Sequence, residues 1–106
     1  MEALPEIVTE HLAEVRALCE KYGVKRLAIF GSAVKGTFKL ETSDLDFVVE
    51  FKDDVLGVDG WNAYFGLKFA FEDLFGRNVD LVEESAVKNP YFRQVLDLTQ
   101  RDLYAA

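Results

Sequence analysis

The chain has 106 residues, of which 50% are hydrophobic and 13% aromatic, so it is long enough to bury a core as one domain. Its 12 basic and 19 acidic residues give a net charge of −7, which argues against stable nucleic-acid binding because such binding depends on basic surface. No apolar run approaches the roughly 18 residues of a membrane span. The one cysteine excludes an intramolecular disulfide, and the acidic N-terminus lacks the apolar core of a secretory signal. We therefore expect a single domain over residues 1–106, located in the cytoplasm.

The first predicted elements are a helix and a strand. Pro5 suits the first turn of a helix, apolar residues recur at helical spacing from Ile7 to Tyr22, and Gly23 is typical of the residue that ends it. The only histidine, His11, lies beside this apolar stripe, where a structural role is favoured over that of a general base. The continuous apolar run Leu27–Phe30 predicts a strand that is buried on both faces.

A turn of small residues follows this strand. Gly31 allows a positive φ angle and a close approach of the backbone to a ligand. The hydroxyl of Ser32 could cap a short helix that runs to about Gly36, and the free N–H groups at the start of such a helix attract anions. The spacing is not that of a P-loop. Placed before a strand that carries two aspartates, the turn predicts a cradle for the phosphates of a nucleotide.

The second strand, from about Leu45 to Phe51, carries acidic residues at its start. Asp44 and Asp46 share one face because side chains alternate along a strand, and they lie about 7 Å apart. Two such carboxylates repel each other, and a divalent cation would remove the repulsion. Oxygen ligands favour Mg²⁺ or Mn²⁺ over Zn²⁺. A third carboxylate, Asp80, stands in a similar apolar setting and would allow two ions.

The alternative is that Asp44 caps a turn after Ser43 and that Asp46 only faces solvent. That alternative would be favoured for an isolated Asp-x-Asp. The glycine-serine turn upstream and Asp80 downstream favour the metal site.

The remaining elements include two more helices. The acidic, turn-rich segment Lys52–Gly60 predicts a mobile loop, and a helix follows from about Trp61 to Phe75, closed by Gly76. The third strand is predicted at Val79–Val82. A last helix starts at Asn89-Pro90 and carries apolar residues as far as Tyr104, more than one packing face needs, which indicates a partner surface.

Two motifs in this order carry a family resemblance. The segments GSAVKG and SDLDFVVEF resemble the G-S-x-x-x-G and S-D-x-D signature of the nucleotidyltransferase superfamily that includes DNA polymerase beta and kanamycin nucleotidyltransferase. Together with NVDLVEE and KNPYFRQ, they make the chain most similar to the minimal nucleotidyltransferases (MNT), small prokaryotic proteins usually encoded beside a HEPN-domain protein. The resemblance covers nearly the whole chain. It implies an α/β (α+β) fold, with a small mixed sheet packed against about four helices.

The resemblance also implies roles for individual residues. The catalytic residues, which would also hold two Mg²⁺ ions (or Mn²⁺), would be Asp44, Asp46 and Asp80, and Asp80 would help to deprotonate the acceptor. The nucleotide-binding residues would be Gly31, Ser32, Lys35 and Ser43. Many members have arginine where this chain has Lys35, and lysine keeps the charge but loses the two-pronged hydrogen bonding of a guanidinium.

The activity implied by the resemblance is transfer of AMP from ATP to a hydroxyl group of a cognate HEPN toxin, a tyrosine in particular, which would make the protein an antitoxin. One alternative is an antitoxin that covers its toxin without catalysis. Another is a small-molecule transferase of the aminoglycoside type, whose cationic substrate would suit an acidic surface. A chain of this length leaves little room for such a small-molecule pocket, which favours a protein acceptor or a homo-oligomer.

Overall fold

The computed structural model describes residues 4–35, 39 and 43–106, apart from the side chains of residues 35 and 56–59. The helices are α1 (Glu6–Thr9), α2 (Leu12–Lys21), α3 (Ser32–Lys35), α4 (Asp53–Phe75) and α5 (Pro90–Thr99). The strands are β1 (Val24–Phe30), β2 (Leu45–Phe51), β3 (Val79–Glu83) and β4 (Arg101–Ala105), and a 3-10 helix, Glu84–Ala86, follows β3. Within these ranges, no helix combines the length and hydropathy needed to cross a bilayer.

The four strands form one mixed sheet in the order β3-β2-β1-β4. β1 is antiparallel to both β2 and β4, whereas β2 and β3 are parallel. The C-terminal end of β1 and the first residues of β2 and β3 therefore meet at one end of the sheet. At that end Phe30 lies opposite Asp46, and Asp46 lies opposite Asp80. The mixed sheet with several helices confirms the predicted fold class.

The sheet has a helix layer on each face, because side chains alternate along the strands. On one face, alternate residues of β2 are buried under α2 and α4, with the ring of Phe47 5.1 Å from that of Phe71 and 6.0 Å from that of Phe75. On the other face, Val48 and its partner Ala28 are buried beneath Leu96 of α5. Asp46 belongs to this second face, two residues before Val48.

The first predicted helix is interrupted at His11, which separates α1 from α2. The Nδ1 atom of His11 lies 2.7 Å from the carbonyl oxygen of Ile7, and its ring meets Phe75 edge-on at 5.7 Å. These contacts give His11 the structural role that the sequence favoured. Gly23 ends α2 with φ +71°, as predicted.

The mobile loop predicted over Lys52–Gly60 is wrong, because α4 begins at Asp53 and runs for 23 residues. Lys52 is extended, and Asp53 and Asp54 lie in the first turn, where carboxylates interact favourably with the N-terminal end of a helix. The glycines in this stretch suggested a turn, but a glycine inside a helix costs only about 1 kcal/mol, which tertiary packing can offset. Gly76 closes the helix with φ +64°, as predicted.

The last helix is also shorter than predicted. Asn89 accepts hydrogen bonds from the N–H groups of Tyr91 and Phe92, which confirms the predicted cap, but α5 ends at Thr99. The segment after it forms β4, which pairs with β1. Arg26 of β1 holds this strand by donating to Asp102 and to Gln100, both at 2.7 Å.

Candidate active site

Asp46 and Asp80 face each other across the first rungs of β2 and β3. Adjacent strands lie about 4.8 Å apart, so the two carboxyl groups project side by side from one face of the sheet. Asp46 is half-buried, and Asp80 is exposed. Asp44 is exposed just before β2 begins. The fold therefore brings Asp46 and Asp80 together from positions far apart in the chain, with Asp44 next to them.

The electrostatics of this pair are unfavourable without a cation. The pKa of Asp46 is raised from 3.8 to about 6, mainly by burial, and then by the negative charges of Asp80 and Asp44 and by a hydrogen bond with Asp80. A positive charge placed between the carboxylates would lower the pKa of Asp46 and so oppose the effects of Asp80 and Asp44.

The residues present fit Mg²⁺ as it is usually bound in nucleotide sites, by one or two carboxylates together with phosphate oxygens of the substrate. Among the described residues, no three or more His, Cys, Asp or Glu side chains form a ready-made metal cluster. The strand register brings Asp46 and Asp80 together, and further oxygens for a cation would come from Asp44 or from a substrate.

Gly31 lies directly behind Asp46. Its φ is +76°, in the region that favours glycine, and a Cβ atom on it would collide with the Asp46 carboxylate. No other residue fits here without moving that carboxylate. Ser32 is the first residue of α3 rather than its cap, and the carbonyl of Gly31 accepts from the N–H of Val34 at 3.1 Å. The small-residue turn thus stands beside the acidic pair, as predicted, while the side chain of Lys35 lies outside the described residues.

Ser43 lies two residues before β2 and is hydrogen-bonded to the backbone of Lys39. Its Oγ accepts from the N–H of Lys39 at 2.9 Å, and its own N–H donates to the carbonyl of Lys39 at 2.8 Å. The structure places Ser43 next to Asp44, as expected, and gives its hydroxyl a backbone partner. Its role in binding nucleotide stays a prediction.

Arg77 is a residue of this region that sequence reasoning missed. Its Nη1 donates to the carbonyl of Ser43 at 3.1 Å, and close by the N–H of Leu45 lies 3.4 Å from the carbonyl of Asn78. These bonds join the segment before β2 to the segment before β3, and so hold the starts of the two strands that carry the carboxylates. The only signal in the sequence is a basic residue three positions before Asp80.

Glu72, near the end of α4, supports the same end of β3. Its Oε2 accepts from the N–H of Val79 and from Nζ of Lys68, both at 3.1 Å. The pKa of Glu72 is lowered, mainly by the backbone hydrogen bond and next by the bond from Lys68. Nothing in the linear sequence connects Glu72 to Val79, so its role was also missed.

The chain is similar to known proteins in sequence and in fold. The family model of the nucleotidyltransferase domain matches residues 15–99. The protein adenylyltransferase MntA of Thermococcus cleftensis is 34% identical over 96 residues, which cover 91% of this chain and 89% of that protein.

Two solved structures resemble the fold. A candidate minimal nucleotidyltransferase superimposes with a TM-score of 0.74 at 31% identity, covering 91% of this chain and 92% of that one. A tri-AMPylated HEPN toxin of Shewanella oneidensis in complex with an MNT antitoxin gives a TM-score of 0.65 at 16% identity, covering 92% and 72%. The second likeness concerns the fold alone.

Proposed function

The chain belongs to the nucleotidyltransferase domain family and is a nucleotidyltransferase of the minimal type, and on that premise we propose that it transfers AMP from ATP to a tyrosine hydroxyl of a cognate HEPN toxin. Modification of the toxin would make the chain an antitoxin. The observation that carries the proposal is the opposition of Asp46 and Asp80 beside Gly31. Support comes from a relative named as a protein adenylyltransferase and from a complex that contains an AMPylated HEPN toxin.

The acidic pair is proposed to bind divalent metal, Mg²⁺ in the first place and Mn²⁺ as a substitute. Asp46 and Asp80 would be the main ligands, and Asp44 would join them for a second ion. When bound, the metal would neutralise charge on the phosphates and on the departing pyrophosphate. The raised pKa of Asp46 supports this assignment, because a bound cation would relieve the repulsion from the neighbouring carboxylates that contributes to the shift.

The other residues have proposed roles in positioning and proton transfer. The backbone at Gly31 and Ser32 would bind the β- and γ-phosphates, and the missing Cβ of Gly31 would let them approach Asp46. Lys35 would add positive charge near the phosphates, and Ser43 would lie close to the nucleotide.

In the reaction, the acceptor oxygen would bond to the α-phosphorus while the bond from that phosphorus to the bridging oxygen breaks. The hydroxyl proton would pass to Asp80, which is exposed and therefore accessible to a protein substrate. The products would be the AMP ester on the acceptor and pyrophosphate. We place this reaction in the cytoplasm, where ATP is available and the single cysteine, Cys19, stays reduced.

The test uses ATP labelled at the α-phosphate, Mg²⁺, this protein and the HEPN-domain protein encoded beside it. Wild type should label the HEPN protein, and Asp46→Asn should not. Asp73→Asn is the matched control and should label as wild type does, because it removes an exposed carboxylate of α4, the helix that packs on the face of the sheet opposite to the pair. Tyrosine-to-phenylalanine variants of the HEPN protein would identify the acceptor.

A stable complex with no label would contradict the proposed catalysis and favour an antitoxin that acts by binding. Label on an aminoglycoside but not on the HEPN protein would favour a small-molecule transferase. Label on the HEPN protein that survives in all its tyrosine variants would contradict the tyrosine acceptor only.

A further inference from the structure

The outer side of α5 is an exposed apolar surface. Tyr91 is 79% exposed, Val95 51% and Leu98 79%. Their spacing of four and three residues places them on one side of the helix, which we call the α5 stripe. These side chains do not form part of the hydrophobic core. The fully buried residue of α5 is Leu96, which lies on a different side of the helix. Three large apolar side chains held in water on a short helix indicate a surface that another molecule covers.

The α5 stripe is continuous with the candidate active site. Phe92, next to the stripe, is 37% exposed, and its ring packs against that of Phe30 at a centroid distance of 5.9 Å. Phe30 is the strand partner of Asp46. α5 also covers the same face of the sheet from which Asp46 and Asp80 project. A molecule that meets these carboxylates from that face can therefore rest on the stripe at the same time.

A second exposed apolar surface lies on α4, beside the edge strand β3. Trp61 is 76% exposed and Phe69 56%, but α4 packs through Phe71 on the face of the sheet opposite to the carboxylates. Trp61 lines a cavity with Leu81, Val82 and Glu83 at the β3 edge of the sheet, whereas Leu96 of α5 packs over Ala28 of β1 and Val48 of β2. The α4 surface is exposed and apolar like the α5 stripe but lies elsewhere on the molecule, so it serves as a matched control.

We infer that the α5 stripe is the docking surface for the protein that carries the acceptor hydroxyl, an inference that rests on the proposed AMP transfer. The occupant would present an apolar centre to Tyr91 and Leu98. Lysines and arginines would surround that centre, because this chain carries a net charge of −7 and exposes Asp44, Asp80 and Asp97. Docking on the stripe would bring the acceptor to Asp80 without a pocket inside the chain.

The inference is tested with the double variant Tyr91→Ser/Leu98→Ser and the control Trp61→Ser/Phe69→Ser. For each protein, AMP transfer to the neighbouring HEPN-domain protein gives kcat and the KM values for ATP and for the HEPN protein. The stripe variant should raise KM for the HEPN protein by about tenfold or more, since exposed aromatic and apolar residues at the centre of an interface often account for that much. Its kcat at saturation and its KM for ATP should stay within about twofold of wild type, because the stripe does not touch the reacting atoms. The control should match wild type in all three constants.

Calorimetric titration of the HEPN protein without ATP tests the surface separately from the chemistry. A Kd at least about tenfold weaker for the stripe variant alone supports the inference. An unchanged Kd, or an equal loss in the control, overturns it, and so does absence of wild-type binding. A wild-type oligomer that the stripe variant dissociates, with an unchanged Kd for the HEPN protein, also overturns it, because the stripe would then join two copies of this chain. Binding intact with no AMP transferred by wild type would count against the proposed function and not against the docking surface.

Discussion

Replacing Asp46 by Asn removes one charge from the acidic pair and leaves its shape almost unchanged. In the folded protein the pKa of Asp46 is raised from 3.8 to about 6 by burial and by its acidic neighbours, so its ionisation opposes folding. Near pH 7.5 this difference corresponds to about 3 kcal/mol, and solvent screening of a half-exposed carboxylate reduces it to about 1–1.5 kcal/mol. We expect Asp46→Asn to raise the metal-free free energy of unfolding by that amount and to abolish AMP transfer.

The size of the effect depends on pH. A carboxyl group with a raised pKa in the folded state stabilises the protein fully below its unfolded pKa of 3.8. That stabilisation is lost as the pH rises through about 6. Wild type should therefore lose about 1–1.5 kcal/mol between about pH 4 and pH 7, and the variant should not. The gap between the two proteins should be small at about pH 4 and largest above pH 7.

The assay is urea unfolding with excess EDTA across this pH range, repeated with Mg²⁺. The control Asp73→Asn should stay within about 0.5 kcal/mol of wild type at every pH. Mg²⁺ should stabilise wild type more than Asp46→Asn, because the variant has lost a ligand. Equal or lower stability of Asp46→Asn at about pH 7.5 without metal would refute the electrostatic argument, and AMP transfer by the variant would refute the catalytic assignment.

Three further variants test other residues of the candidate site and its surroundings. Gly31→Ala should lower the free energy of unfolding in urea by about 2–4 kcal/mol, because alanine disfavours a positive φ and its Cβ would displace Asp46. The variant should also lose most of the transfer activity. A free energy of unfolding equal to that of wild type would contradict this reasoning. Asp80→Asn should still bind ATP in a titration but label no acceptor, so turnover at the wild-type rate would mean that another group accepts the proton. Glu72→Gln should be less stable than wild type at neutral pH because the lowered pKa of Glu72 reflects a carboxylate stabilised by folding. This deficit should shrink as the pH falls below the ordinary value of 4.5, and a deficit that is constant with pH would refute the cause.

The parts of the fold that could be predicted from the sequence are those with local causes. Alternating apolar residues define β2, Gly31 and Gly76 adopt the positive φ values that glycine favours, and Asn89 caps α5 as its position indicated. The fold class and the family also followed from short motifs. In each case the deciding interaction lies within a few residues, so it can be recognised in the linear chain.

Two elements were mispredicted because their local composition and their tertiary contacts disagree. The first turns of α4, from Asp53, contain glycines and aspartates that are typical of loops, yet they continue a helix whose later part is anchored by buried phenylalanines. The segment Arg101–Ala105 has helical spacing of apolar residues but pairs with β1, where Arg26 binds Asp102. The energies that decide these segments come from residues far away in sequence.

The same distinction applies to the candidate site. The candidate residues could be named from the sequence, because Asp44, Asp46, Asp80 and Gly31 stand in short apolar and turn patterns that resemble the family signature. The pairing of Asp46 with Asp80, the contact of Gly31 with Asp46 and the bond by which Arg77 joins the two strand starts became visible in the folded structure alone. These relations depend on strand register and on hydrogen bonds between segments more than 30 residues apart, such as that from Arg77 to Ser43 with a separation of 34. A chain folds into one register because that register buries the apolar side chains on both faces of the sheet together, a condition that only the assembled core imposes.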